Sequence, residues 1–506
     1  MKIIVPLAGD SEDFKKKFGT IKPLTKVGNE TVIEKFLYSF KFDYEYIFIC
    51  RLKDILDTNL IKKIKSSNVK YKLIILDKDT ANVIETILCA QNIINDNDSI
   101  VVVHPDAEIY FDKDLFFKQI KDSCGLIFSY NHFNPTFLKS DLVGRCKIDQ
   151  NDKVLEVKEK SIFNENEETL AGIYYYSKWS DFKKYSKKLF KSQNSINGIF
   201  YESQIFNEYI KDNKLVKNFR VNKFISLGLI KNIEEYNFWF KYRKSQNKKE
   251  KKSKTFDQLN LIPACGEGKR FSDKGYKNIK PMIEVQDTTM LNATINALPK
   301  AKKNIIIVLE EHEKKYKIIS KHSNLLNTEF ITLSSKTDGM ARTCIMAKEK
   351  IDPDAPLLIS SCDYSLTYDE EKLSTIIETV DPDVIIWTFK NYPDARIQPY
   401  AYAYIREKNG LVTNISEKIP ISSKPNEDQV VQGIFYFKKA RLFFEASNAM
   451  FENENHVNGE YYIATSINEL IKMNKKVTYF EVDQYICWGT PHDFETYNFW
   501  MEINER

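Results

Sequence analysis

Short apolar runs alternate with amphipathic stretches along both halves of the chain. In the first half this pattern predicts strands over residues 2–7, 46–50 and 99–104, and helices over 31–40 and 80–94. In the second half it predicts strands over 259–264, 304–309 and 356–361, and a helix over 339–350. Strands that alternate with helices form βαβ units and a mostly parallel sheet with covered faces. The pattern therefore predicts an α/β fold in each half.

The two halves also repeat one another. Lys22 and Pro23 return as Lys280 and Pro281, and residues 236–239 (Tyr-Asn-Phe-Trp) recur letter for letter at 497–500. This period is far longer than the roughly 20–50 residues of solenoid repeats. It predicts a tandem duplication, with one domain over residues 1–240 and a second over 258–506. Residues 241–257 between them are rich in lysine and predict a basic linker.

Composition narrows the class of protein. Hydrophobic residues make up 42% of the chain and aromatic residues 13%, which is typical of a folded globular protein. Because 75 basic residues are balanced by 70 acidic ones, the sequence gives little support for binding nucleic acid. The eight cysteines include no Cys-x-x-Cys pair and are expected to be reduced thiols. We find no signal peptide or membrane-spanning run, so the expected location is cytoplasmic.

The most informative motif follows the strand predicted over residues 259–264. Gly266 and Gly268 leave backbone N–H groups free to face a phosphate, and Arg270 adds a planar, permanently charged group suited to phosphate oxygens. Lys280 places a second cation nearby in sequence, before a proline of fixed φ. Two alternatives remain open. One is a dinucleotide fingerprint, although Phe271 occupies the place of its third glycine, and the other is an ordinary turn between a strand and a helix.

A second candidate is Asp363, which ends the apolar run 357–362. A carboxylate at the end of a buried strand is costly unless it is paired or bound to a metal. Mg²⁺ takes one or two carboxylates together with substrate phosphates and water, so Asp363 is a candidate ligand. The alternative is a helix cap or a turn.

Together these motifs resemble the nucleotidyltransferases that activate sugar 1-phosphates. The resemblance rests on residues 263–271 (Pro-Ala-Cys-Gly-Glu-Gly-Lys-Arg-Phe) and 280–285 (Lys-Pro-Met-Ile-Glu-Val). It extends over nearly the whole of both halves. Residues 488–493 (Trp-Gly-Thr-Pro-His-Asp) resemble relatives from capsule and surface-polysaccharide synthesis. The resemblance implies two tandem Rossmann-like domains of the glycosyltransferase-A type, each with a mostly parallel mixed sheet flanked by helices.

The resemblance also implies roles for individual residues. The expected catalytic residues are Arg270, Lys280 and Asp363. The expected nucleotide-binding residues are Gly266, Glu267, Gly268, Asp338 and Gly339. The expected sugar-phosphate-binding residues are Lys418, Gly433 and Glu460. The expected metal is Mg²⁺ on Asp363, with Asp483 as the second candidate because Cys487 and Trp488 stand where the family often has its second aspartate.

The first copy lacks much of this set. Glu12 and Asp13 occupy the positions of Lys269 and Arg270, and Ser11 replaces Gly268. An acid in place of a phosphate-facing cation opposes the binding of a triphosphate, so we expect no nucleotidyl transfer by the first half. The lysines at 15–17 are the residues that could replace the lost cation.

The predicted reaction is therefore NTP plus a sugar 1-phosphate, or a related phosphomonoester, giving an NDP-linked product and pyrophosphate. Two other classes stay open from the sequence. One is a glycosyltransferase on the related fold, and the other is a non-catalytic nucleotide-binding scaffold. The base, the acceptor and a homo-oligomeric state are not determined by the sequence.

Overall fold

The computed structural model describes residues 1–56, 58–135, 143–161, 164, 166–246 and 254–503. The chain divides into two compact units, Met1–Lys241 and Tyr242–Arg506. Each unit is an α/β structure with its own sheet and its own hydrophobic core.

The first unit contains thirteen described strands and the helices that connect them. The strands are β1 (Lys2–Leu7), β2 (Lys26–Val27), β3 (Glu30–Thr31), β4 (Glu45–Arg51), β5 (Tyr71–Leu76), β6 (Ile100–Val103), β7 (Ala107–Tyr110), β8 (Gly125–Tyr130), β9 (Arg145–Ile148), β10 (Val154–Lys158), β11 (Glu168–Tyr176), β12 (Val216–Arg220) and β13 (Lys223–Ser226). The helices are α1 (Glu12–Phe18), α2 (Val32–Ser39), α3 (Leu52–Ile55), α4 (Leu60–Ser66), α5 (Val83–Leu88), α6 (Lys113–Gln119), α7 (Trp179–Ser192), α8 (Ile205–Lys211) and α9 (Ile230–Gln246).

The second unit contains thirteen further described strands. They are β14 (Thr255–Pro263), β15 (Glu284–Val285), β16 (Thr288–Thr289), β17 (Lys300–Leu309), β18 (Thr328–Leu333), β19 (Leu357–Ser360), β20 (Tyr364–Thr367), β21 (Val384–Phe389), β22 (Ala403–Lys408), β23 (Leu411–Glu417), β24 (Val430–Phe437), β25 (Val477–Glu481) and β26 (Gln484–Cys487). The helices are α10 (Lys269–Ser272), α11 (Met290–Ala297), α12 (Glu310–Tyr316), α13 (Ile318–Lys321), α14 (Met340–Ile345), α15 (Glu370–Thr375), α16 (Pro393–Ile397), α17 (Ala440–Glu452), α18 (Ile463–Lys472) and α19 (Pro491–Met501).

The two main sheets share one strand order. In the first unit it reads β5-β4-β1-β6-β11-β8-β12, and in the second β18-β17-β14-β19-β24-β21-β25. The four strands at the start of each series pair in parallel, and β11 and β24 then pair antiparallel with their neighbours. Each sheet is therefore mixed, with a parallel half that matches the predicted βαβ units.

Burial on both faces explains why the parallel strands lack strict alternation. In β1, Ile3 and Val5 belong to one core cluster and Ile4 to another, and all three are fully buried. Parallel strands with helices on both faces are apolar at successive positions for this reason. The continuous apolar runs in the sequence were thus a direct signal of a covered sheet.

The predicted strands are confirmed to within a few residues, but two predicted helices are shorter than expected. The helix predicted over 80–94 spans only Val83–Leu88, and the one over 339–350 spans Met340–Ile345, followed by a separate 3₁₀ turn at Lys348–Lys350. In the first case Asn82 is an extended N-cap whose side chain accepts a hydrogen bond from the N–H of Glu85. Such a cap fixes the start of a helix, so the residues before it stay outside.

The predicted basic linker is helical over its first residues. α9 continues to Gln246, where Tyr242 is buried and donates to Ser365, and Arg243 donates to the carbonyl of Trp500 at 2.6 Å. β14 begins at Thr255, while residues 247–253 of the predicted linker lie outside the described residues. Within the part of the chain that the structure describes, none of the helices is long and apolar enough to cross a membrane.

Candidate active site

The parallel half of the second sheet brings the two main predicted motifs to one edge. β14 and β19 are neighbours, with Leu261 opposite Ile359. β14 continues into the glycine-rich loop at 264–268, and Asp363 follows the end of β19. Open α/β sheets bind ligands at the carboxyl ends of their strands. The topology alone therefore places the loop and the carboxylate on the same side of the sheet.

Gly268 allows the loop to approach the turn that contains Lys280. It is the N-cap of the short helix α10 and has a φ of 65°, in the left-handed region. A Cβ at this position would lie 3.3 Å from the backbone nitrogen of Lys280. A side chain here would thus be both strained and crowded. Around Gly266, by contrast, no atom lies within 4 Å of where a Cβ would be, so that part of the loop is open.

Lys280 and Asp363 form an ion pair at the centre of the edge. Lys280 Nζ donates to Asp363 Oδ2 at 2.8 Å, and Ser361 Oγ donates to the other oxygen, Oδ1, at 2.6 Å. Burial alone would raise the pKa of Asp363, but Lys280, Ser361 and the charge of Arg270 together hold that pKa below its ordinary value. Burial alone would lower the pKa of Lys280, and the attraction of Asp363 raises it instead. Both groups therefore stay charged.

Arg270 is the cation that this pair leaves free. Its side chain is exposed on α10, and within the described ranges it makes no salt bridge. Its charge is close enough to act on both Lys280 and Asp363. An unpaired guanidinium beside a neutral ion pair gives the edge a net positive charge, which suits phosphate.

Glu267 connects the glycine-rich loop to the segment before α14. Its carboxylate accepts a hydrogen bond from Lys336 Nζ at 2.7 Å, and both side chains are about half exposed or more. The pair joins two of the predicted nucleotide-binding segments, although an exposed pair of this kind contributes little to stability.

Gly339 fixes the contact between the second of these segments and residues 460–462. Its φ is 142°, and a Cβ would lie 2.5 Å from the backbone nitrogen of Tyr461. Tyr461 N–H donates to the carbonyl of Asp338 at 3.0 Å, and Ala341 N–H donates to the carbonyl of Tyr461 at 3.1 Å. Only glycine permits this backbone contact. The carboxylate of Asp338 accepts from Arg342 Nε at 2.9 Å.

Two of the predicted sugar-phosphate residues, Lys418 and Glu460, are linked through Tyr462, the residue after Tyr461. Lys418 Nζ is within 2.5 Å of the Tyr462 hydroxyl, which in turn donates to the carboxylate of Glu460. Lys418 follows β23 in the left-handed conformation, with a φ of 57°. Burial raises the pKa of its neighbour Glu417 to about 7, with the charge of Lys418 opposing the shift and that of Glu460 adding to it.

Gly433 completes this side. It lies in β24 one position beyond the pair formed by Ser360 and Ile434, which places it beside Ser361. No atom lies within 4 Å of where its Cβ would be. The space next to Gly433 is therefore open.

Asp483 is not brought to Asp363. Its N–H donates to the carbonyl of Thr367, at the opposite end of β20 from Asp363. At about 3.3 Å per residue, that separates the two aspartates by roughly 13 Å. Asp493 accepts from the hydroxyl of Thr490 and forms a capping box with it at the start of α19. Among the residues that the structure describes, no three His, Cys, Asp or Glu side chains form a metal cluster.

Four residues of the site escaped the sequence-based reasoning: Ser361, Lys336, Glu417 and Tyr462. Two of them carry a signal in the repeat, because Glu159 and Tyr201 occupy the positions of Glu417 and Tyr462 in the first copy. Ser361 and Lys336 carry none, since His104 and Asp79 stand at their positions.

The equivalent edge of the first unit keeps the ion pair and loses the free cation. Lys22 Nζ contacts Asp106 Oδ2 at 3.2 Å. Ser11 has a φ of −131° rather than a left-handed one, and its hydroxyl accepts from the N–H of Lys22 at 3.3 Å. The neighbouring positions carry the exposed acids Glu12 and Asp13.

Two of the three lysines of α1 are paired with acids. Lys15 pairs with Glu12 at 3.1 Å, and Lys17 pairs with Glu234 at 2.9 Å. These contacts neutralise two of the three lysines at 15–17. The first loop therefore has acids where the second has a free cation.

Comparison with known proteins agrees with this geometry. Residues 259–502 match the family model described as nucleotidyl transferase. The matched range contains every predicted site residue, from Gly266 to Asp483. A search of curated protein sequences finds no match to this chain.

Solved structures similar to the chain include a nucleoside-diphosphate-sugar pyrophosphorylase from Vibrio cholerae RC9, with 19% identity and a TM-score of 0.40, over 48% of this chain and 100% of the other. They also include the inositol-1-phosphate CTP transferase from T. maritima, with 11% identity and a TM-score of 0.38, over 49% and 98%. A UDP-glucose pyrophosphorylase complexed with UDP-glucose has 14% identity and a TM-score of 0.38, over 49% and 99%. At such values the likeness carries no argument about substrate.

Proposed function

We propose that residues 258–506 transfer a nucleotidyl group from an NTP to a sugar 1-phosphate, or a related phosphomonoester, and release pyrophosphate. The observation that carries the proposal is the pair of Lys280 and Asp363 beside the unpaired Arg270, at the glycine-rich edge of a nucleotidyl transferase domain. A charge-balanced pair with one spare cation suits a polyphosphate better than a neutral ligand.

The chemistry needs no protein base. A phosphate oxygen of the acceptor attacks the α-phosphorus, a new P–O bond forms, and the bond from the α-phosphorus to the bridging oxygen breaks. Pyrophosphate leaves with the electron pair of that bond. Because the second pKa of a phosphomonoester is about 6, the attacking oxygen is already ionised near neutral pH. The protein therefore acts by positioning and by charge.

Arg270 and Lys280 supply the charge. Arg270 lies on α10 and Lys280 on the 3₁₀ turn Lys280–Met282, and the ion pair with Asp363 orients Lys280 before a nucleotide binds. Preorganised donors of this kind stabilise charge that develops in the transition state, and removal of one typically costs about 10²–10³ in rate.

The donor set around Asp363 fits Mg²⁺. The ion takes one or two carboxylates plus phosphate oxygens and water, and Asp363 offers one ionised carboxylate whose side chain is 20% exposed. Asp363 would hold the ion, and Asp483 lies too far along β20 to share it. When bound, Mg²⁺ would neutralise phosphate charge.

The acceptor is proposed to bind at Lys418 and Glu460. The Tyr462 hydroxyl joins these two side chains, which places a cation for a phosphate next to an acid that accepts sugar hydroxyls. Gly433 leaves open space beside β24. This arrangement favours a phosphorylated, hydroxylated acceptor.

Two wider proposals rest on the sequence. The motif at 488–493 motivates a role in capsule or surface-glycan synthesis, with the protein in the cytoplasm. The acids at Glu12 and Asp13 motivate a first unit that does not transfer nucleotides.

The test is pyrophosphate release by the full chain with each NTP, Mg²⁺ and a panel of sugar phosphates. We expect release with at least one pair, only when the acceptor is present, and none after chelation of the metal. A parallel assay follows NDP release from an NDP-sugar without NTP, and NDP release there, with no pyrophosphate release from NTP, would support a glycosyltransferase instead. No pyrophosphate release with any combination in the panel would favour a non-catalytic nucleotide-binding scaffold.

A matched pair of variants assigns the activity to one unit. Lys280→Met is expected to lower kcat by about 10²–10³, whereas Lys22→Met, at the same position of the first unit, is expected to leave kcat within about threefold of wild type. Equal losses from both variants would contradict the assignment.

A further inference from the structure

The first unit contains a polar cluster that the second unit lacks. In the sheet register, His104 corresponds to Ser361, because Val103 opposite Ile173 matches Ser360 opposite Ile434. By the period of the repeat, Glu202 and Ser203 correspond to Ile463 and Ala464. The first unit therefore has His104, Glu202 and Ser203 where the second has Ser361, Ile463 and Ala464. An apolar pair has been exchanged for ionisable and hydroxyl groups.

The new side chains take part in two hydrogen-bonded pairs. His104 Nε2 bonds to a carboxylate oxygen of Glu202, which is only 2% exposed. The hydroxyl of Ser203 donates to Glu159, whose neighbour is Lys160. Burying a carboxylate is costly unless it is paired, so this cluster is a specific arrangement.

The cluster retains the sugar-phosphate half of the equivalent site. Lys160 has a φ of 48°, matching the 57° of Lys418. Burial raises the pKa of Glu159 to about 7, with Ser203 opposing the shift, just as the pKa of Glu417 is raised to about 7. Because a left-handed conformation is strained for a lysine, its presence in both copies shows that this turn is the same in each.

The side chains around Lys160 differ from those around Lys418 at one position. Ile199 stands where the second unit has Glu460, and Lys160 Nζ instead lies 5.7 Å from the ring centre of Tyr201. In the described ranges no carboxylate lies within 4.0 Å of Lys160 Nζ, whose residue is exposed. The charges of His104 and Glu202 cancel, as do those of Lys22 and Asp106. Lys160 is therefore a spare cation.

We propose that this cluster, formed by His104, Glu159, Lys160 and Ser203, binds a small hydroxylated phosphomonoester of the sugar-phosphate class without any nucleotide. The phosphate pairs with Lys160, and the hydroxyl groups face Glu159 and His104. The acids Glu12 and Asp13 at the loop oppose a triphosphate. The first unit thus binds the acceptor class of ligand alone.

The test is equilibrium dialysis of the full chain with labelled glucose 1-phosphate, in the absence of NTP. A Lys418→Met background removes the phosphate cation of the second unit. In that background we expect one saturable site, and Lys160→Met is expected to weaken it by about 10- to 100-fold. Lys187→Met, an exposed lysine on α7, is the control and should leave the Kd unchanged.

Three outcomes would overturn the inference. One is the absence of saturable binding up to about 10 mM, and another is binding that survives Lys160→Met. The third is equal affinity for inorganic phosphate, which would indicate an unspecific anion site. Lys160 and Lys187 are exposed. Thermal melts should therefore show that the variants at these two positions remain folded. The assay needs no catalysis, so its result is independent of pyrophosphate release by the second unit.

Discussion

The two units share one strand order but carry charges of opposite sign at the same edge of their sheets. Both keep the strand order and a lysine–aspartate pair, Lys22 with Asp106 and Lys280 with Asp363. Beside that pair, the second unit has the exposed Arg270 and the first has the exposed Asp13. The two units therefore differ in the sign of the charge next to the same ion pair.

The two units also differ at three further corresponding positions. There the second unit has Ser361, Ile463 and Ala464, while the first has His104, which bonds to Glu202, and Ser203, which donates to Glu159. The first unit therefore has more ionisable and polar groups at these positions than the second.

The largest effect is expected from the aspartates. Asp363→Asn removes the carboxylate that pairs with Lys280, and kcat for pyrophosphate release should fall by about 10³. Asp106→Asn should leave kcat within about threefold. Loss of activity from Asp106→Asn alone would break the comparison.

Gly339→Ala should have the next largest effect. The added Cβ would meet the backbone of Tyr461 at 2.5 Å and so move residues 460–462. A displacement of about 1 Å in a positioning segment costs about 10² in kcat/KM. Asn82→Ala, the matched change, should cost about 1 kcal/mol of stability as a lost N-cap and leave steady-state kinetics unchanged. Wild-type kinetics in Gly339→Ala would show that the contact does not matter.

A smaller effect is expected from Tyr462→Phe. It removes the hydroxyl between Lys418 and Glu460, and the KM for the acceptor should rise about 10-fold with little change in the KM for NTP. Tyr201→Phe should change neither constant. An equal rise in the KM values for NTP and acceptor would show that Tyr462 does not act specifically in acceptor binding.

The smallest effect concerns stability and pH. Burial would lower the pKa of His104, but Glu202, Asp106 and Glu159 raise it to about 9. Because this folded-state pKa lies above the ordinary 6.5, the stabilisation is complete below pH 6.5 and is lost as the pH rises through 9. The double variant His104→Gln/Glu202→Gln should therefore lose less Tm over this interval than wild type, by about 2–4 °C. An unchanged pH profile would show that the pair is not coupled to folding.

The sequence predicted the features that depend on local pattern. The apolar runs located β1, β14 and β19, and the glycine and charge motifs located Arg270, Lys280 and Asp363. The contact between Gly339 and Tyr461 was not predictable, because it joins segments far apart in sequence through backbone atoms alone. The position of Asp483 was equally hidden, since only the pairing of β20 with β26 shows that it lies at the wrong end.

Exchange of charge at the paired positions Arg270 and Asp13 tests the central claim most directly. The rate of pyrophosphate release would be measured at saturating NTP and acceptor for three variants, Arg270→Gln, Arg270→Asp and Asp13→Asn. The account predicts a loss of at least about 10² for Arg270→Gln, a greater loss for Arg270→Asp, and none for Asp13→Asn. Near-wild-type turnover in Arg270→Asp would contradict it.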